Sequence, residues 1–131
     1  MTASTTPNAE LAYRALDAID ADPKAWDQGV WIKRDECGTA ACFAGWACLL
    51  SGDNPVFDED DVTTGRVVRG QDDYFIPRRA AQLLGVPIDA VFSRWNAISG
   101  PPRLFDPRNT REDLGRMVAE IFGPRPGGNA S

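Results

Sequence analysis

Three cysteines and no histidine bound the chemistry open to this chain of 131 residues. Without histidine there is no Ser-His or Cys-His nucleophilic pair, no imidazole to move protons near neutral pH, and none of the commonest zinc ligand. Any catalysis would have to run on carboxylates, thiols, hydroxyls or lysine. Cys37 is the one candidate nucleophile. It stands in Cys37-Gly38-Thr39, ahead of an apolar segment that reads as a helix, where unpaired amides and the helix dipole would stabilise a thiolate. Asp35 and Glu36 beside it oppose that charge, and no C-x-x-C partner is present, so a structural cysteine at a helix entrance is the stronger reading. The spacing of Cys37, Cys42 and Cys48 offers neither a fourth thiolate nor the short pairing of a zinc site. The acidic stretch 53–61 lacks the alternating order and terminal Glu of a calcium loop. No metal and no cofactor is expected.

Binding is the remaining class, and two kinds of residue suggest it. The formal net charge is -5, and its densest acid patches are Asp58-Glu59-Asp60-Asp61 and Asp72-Asp73. No stripe of Lys and Arg is available to neutralise phosphates, which disfavours direct nucleic-acid binding. The acids could themselves imitate a nucleic acid, although Arg66 and Arg69 interrupt them. Among the four tryptophans, Trp46 lies in a wholly apolar run and belongs to the core, whereas Trp95 has Arg94, Asn96 and the Gly100-Pro101-Pro102 loop for neighbours. An aromatic beside an arginine is the kind of pair that anchors protein interfaces, with plain core packing the commoner alternative. The binding candidates are therefore Arg94, Trp95, Asp58, Asp60 and Asp61.

The elements that must hold these residues read as helices. Thr6 and Pro7 can open a first helix carrying Leu11, Ala12, Ala15, Leu16 and Ile19 at helical spacing, and Pro23 starts a short second one with Trp26. No residue from 40 to 50 is polar, so a helix there has no side that prefers water; Thr39 and Gly52 are its expected caps. A helix from Pro77 ends at Gly85, and another from Pro87 would place Ile88, Val91, Phe92 and Trp95 on one face, making a tight helical hairpin. Asn109 and Glu112 have capping-box spacing ahead of Leu114, Met117, Val118, Ile121 and Phe122. The expectation is one all-α domain over 1–124, about five helices packed around a central apolar helix at 40–50. A short β-hairpin within 56–75 and a disordered tail at 125–131 complete it.

Trp31, Cys37-Gly38-Thr39-Ala40-Ala41-Cys42 and Ala44-Gly45-Trp46-Ala47, followed by Ala80-Ala81-Gln82-Leu83-Leu84-Gly85, resemble a signature of uncharacterised small proteins of actinobacteria and their phages. The resemblance spans the middle of the chain and implies a source and an all-helical shape, but no catalytic residue. A preference for Arg over Lys and Asp over Glu, as GC-rich codons produce, agrees with that source. No stretch reaches the roughly 18 to 20 apolar residues of a membrane span, and residues 1–7 do not resemble a signal peptide. The expectation is a cytoplasmic protein, in the host cytoplasm if phage-encoded. Its expected role is a non-catalytic protein-binding module whose partner is another protein, a bacterial host factor in the phage case. A thiol-dependent enzyme or redox protein using Cys37, and an acidic nucleic-acid mimic, are the alternatives.

Overall fold

The structure is a computed structural model that describes residues 7–36, 38–92 and 103–126. It overturns the all-α expectation: among the described residues, five α-helices are joined by two three-stranded antiparallel sheets. Helix α1, Ala9–Ala21, is capped by Asn8, whose side-chain oxygen accepts the Leu11 N–H at 3.1 Å, and it buries the five apolar residues that its periodicity marked. A single 3-10 turn, Pro23–Ala25, follows in place of a second helix.

The largest correction falls on 40–50. Residues Gly38–Ala41 form strand β2, paired antiparallel with strand β1, Ile32–Asp35, in the register Ile32 opposite Ala41. Helix α2 begins only at Phe43 and runs to Leu50. Its cap is Cys42, not Thr39: the thiol accepts the Gly45 N–H at 3.5 Å, while the Cys42 N–H is held by the carbonyls of Val30 and Trp31. An apolar run of alanines satisfies a buried strand as well as a buried helix, so periodicity could not place this boundary. What places it is β1, which offers a strand partner to Ala40 and Ala41.

Gly45 shows how closely the two layers meet. A Cβ there would stand 2.0 Å from the Trp31 carbonyl oxygen, 2.9 Å from the Ala41 Cβ and 3.0 Å from Ile32 Cγ1. Helix α2 therefore lies backbone against backbone on the start of β1, and only glycine permits it. The other flank of α2 packs against α1 and against α3, Ile76–Leu84. Trp46, expected in the core, is half-buried because it sits at the margin of this sandwich; its indole N–H donates to the Ala25 carbonyl at 2.9 Å.

Strand β4, Thr63–Thr64, pairs with the outer side of β1, and the chain then crosses at Gly65 into the second sheet. There β5, Arg66–Arg69, lies between β3, Asn54–Pro55, and β6, Asp72–Phe75. The β5–β6 hairpin, turned at Gly70 with φ +63°, falls inside the segment where a hairpin was anticipated. Gly85, φ +72°, closes α3 as its position suggested, but α4 covers only Ile88–Val91 and Phe92 is already extended. The expected helical face loses Phe92, and Trp95 lies outside the described residues. Helix α5, Arg111–Phe122, has its capping box one residue later than expected, on Thr110 and Asp113. Asn109 instead turns inward and donates to the Arg103 and Leu104 carbonyls. Past the expected end of the domain at 124, Arg125 is bound to Asp17 through both guanidinium nitrogens.

Two glycine substitutions should behave oppositely. Gly45→Ala forces a methyl into a backbone carbonyl and should lose about 3 kcal/mol or more in chemical denaturation. Gly115→Ala, inside α5, meets only the Arg111 guanidinium, whose flexible end can move, and should gain about 0.5 to 1 kcal/mol.

Candidate functional site

Two buried polar groups set the frame around the site. The Gln28 side chain uses all of its capacity: its oxygen accepts the Trp26 indole N–H at 3.0 Å and the Phe43 N–H at 3.2 Å, and its nitrogen donates to the Leu104 and Asp106 carbonyls. It thereby ties the entrance of α2 to the 103–109 loop. Asp53, whose side chain has no exposed surface, receives two bonds from the Arg79 guanidinium at 2.7 and 3.1 Å. Arg69 approaches it at 3.7 Å, and Arg79 also stacks on the Tyr74 ring at 4.4 Å. One carboxylate thus joins the end of α2, helix α3 and both strands of the β5–β6 hairpin, a bidentate geometry that fixes orientation as well as charge.

Between these anchors lies an aromatic junction. Trp31 is half-buried, and three phenylalanines meet its indole edge-on: Phe92 at 5.6 Å, Phe75 at 6.4 Å and Phe105 at 6.4 Å between ring centroids. Phe105 is the buried floor and itself packs on Phe43 at 6.5 Å. Phe75 is the exposed wall: 40% of it meets solvent, on the face of the hairpin opposite buried Val67, beside its cross-strand partner Arg66. Gly65 makes the junction possible, since a Cβ there would stand 3.3 Å from Trp31 and 3.5 Å from Phe75. Edge-to-face pairs of this kind contribute about 0.5 to 1.5 kcal/mol beyond area burial, so the exposed ring is held in a defined orientation.

The sequence candidates fare differently. Asp58, Asp60 and Asp61 are exposed at the tip of a loop bounded by half-buried Phe57 and half-exposed Val62, and among the described residues neither they nor Glu59 form a salt bridge. The second acid patch is partly neutralised, because Asp73 is paired with Arg66. Cys37, Arg94 and Trp95 lie outside the described residues. Along the chain, β2 stands between position 37 and helix α2, and Cys42 is the cap of that helix. Trp31, Phe75 and Phe92 were not singled out as a site. Their separation in sequence hid them, and the hairpin expected within 56–75 contained Phe75 without marking it.

Among the described residues no three Cys, Asp or Glu side chains converge as metal ligands would, and no helix is long and apolar enough to cross a membrane. Burial pushes the Cys42 thiol up to about 12 and raises Cys48 as well, with the Asp53 charge adding to the second. In a Cys37→Ser background neither remaining thiol should react with an aromatic disulfide reagent at mildly alkaline pH while the chain is folded. Both should react in denaturant, and native labelling of either would contradict its placement. No family model, curated protein or solved structure matches this chain.

Proposed function

We propose that this chain is a non-catalytic protein-binding module whose partner docks on the aromatic junction of Trp31, Phe75 and Phe92. The observation that carries the reading is Phe75, a large apolar ring left 40% exposed yet braced edge-on by Trp31 over the buried Phe105 floor. A rigid aromatic loses little conformational entropy when covered, which is why such residues dominate binding energy at interfaces. The chemistry on the page supports the same reading. The described thiols are buried and raised, histidine is absent, and the loop carboxylates are solvated and show no paired acid-base geometry. The resemblance to small proteins of actinobacteria and their phages adds a candidate setting, in which the partner is a bacterial host protein met in the cytoplasm.

The test is a purified partner retained from actinobacterial lysate, titrated against wild type and Phe75→Ser. Loss of one buried aromatic anchor should weaken binding at least about thirtyfold, roughly 2 kcal/mol. Equal affinity for the two proteins, or no partner retained while the protein turns over a small substrate, would overturn the reading.

A further inference from the structure

We infer that the partner presents an extended segment in which Lys or Arg stands about three or four residues from an aromatic or large aliphatic anchor. This rests on the protein-binding reading above and specifies its chemistry. The anchor meets the junction; the spacing comes from the sheet. Along the same edge strand, Val62 lies opposite Arg34, Thr63 opposite Lys33 and Thr64 opposite Ile32, and Gly65 then reaches the junction of Trp31 and Phe75. Three residues of extended chain separate Val62 from Gly65, roughly 10 Å. The Thr64 hydroxyl donates to the Val56 carbonyl at 2.5 Å, which fastens the base of the acidic loop to this strand. The loop tip and the aromatic junction are thus two ends of one short surface.

Charge decides what meets the loop end. Asp58, Glu59, Asp60 and Asp61 are consecutive and exposed, and they gather four of the chain's 19 acidic residues at one loop tip. The nearby cations are engaged elsewhere. Lys33 pairs with Asp27 at 4.0 Å, Arg34 stacks on Phe57 at 5.5 Å and donates to the Thr39 hydroxyl, and Arg66 is bound to Asp73. Asp58 is near enough to Arg66, the cross-strand neighbour of Phe75, for their charges to interact, which sets the field of the acid tip close to the aromatic end. A cationic segment gains from this field in rate and register as well as affinity. Four acids confined to one loop tip suit a few basic side chains of a peptide. A surface that imitates duplex DNA would instead need acids repeated along two lines, as the phosphates of both strands are.

Selection of a random peptide display library on the full-length protein tests this, with the winners resynthesised and titrated. The expected winners carry an aromatic or large aliphatic residue with Lys or Arg three or four positions away. They should bind about tenfold more weakly both to a variant combining Asp58→Asn, Asp60→Asn and Asp61→Asn and to Phe75→Ser, and more weakly as salt rises from roughly 0.05 to 0.5 M. Amide shifts in wild type should map to 31, 58–66 and 75, a readout that does not depend on the variants folding. Winners without basic residues, or equally tight on the triple variant, would overturn the charge assignment. If they still failed on Phe75→Ser, the protein-binding reading would stand. No winner, or one indifferent to both changes and mapping elsewhere, would overturn both.

Discussion

The contact between Gly45 and the Trp31 carbonyl is the constraint on which the rest of the molecule depends. With 2.0 Å available to a would-be Cβ, helix α2 and strand β1 meet without an intervening side chain, and their neighbours inherit the geometry. The Cys42 N–H reaches the Val30 and Trp31 carbonyls, the Cys42 thiol takes up the cap of α2, and Ala40 and Ala41 are small enough to complete β2 under the helix. Within the string from Trp31 to Ala47 the described residues are accounted for by packing: Cys42 caps α2, Gly45 admits a carbonyl, and Ala40 and Ala41 fill a strand.

The same contact fixes the Trp31 backbone, and with it the point from which the indole projects. The indole then serves as the hub against which Phe75, Phe92 and Phe105 arrive from three separate segments. Gln28 locks the segment before it to the loop carrying Phe105, and the Asp53–Arg79 pair locks the hairpin carrying Phe75 to α3. Breaking a buried pair such as Asp53–Arg79 by removing one partner typically loses about 3 to 5 kcal/mol, whereas the exposed pair of Arg66 with Asp73 contributes little. The frame of the junction is therefore stiff and its rim is soft.

Amphipathic periodicity located α1, α3 and α5 and the buried faces of each, because a 3.6-residue repeat is a local property that survives in any tertiary setting. The helix stop at Gly85 was legible for a similar reason: a positive φ is a property of one residue. Errors of a residue or two at the caps of α1 and α5 reflect competition among neighbouring Thr, Asn and Asp side chains that each can cap.

By itself the sequence determined the absence of histidine chemistry, the acidic charge with its exposed tip at 58–61, and the helical faces. Composition and local pattern carry all three. Only the tertiary structure decided that 38–41 is strand, that Cys42 is the cap of α2, and that Trp31, Phe75 and Phe92 share one surface. The physical reason is the same in each case. Strand pairing, the start of a helix against a strand and convergence of rings are relations between residues distant along the chain, and β1 had to be in place against Gly45 before any of them could be read.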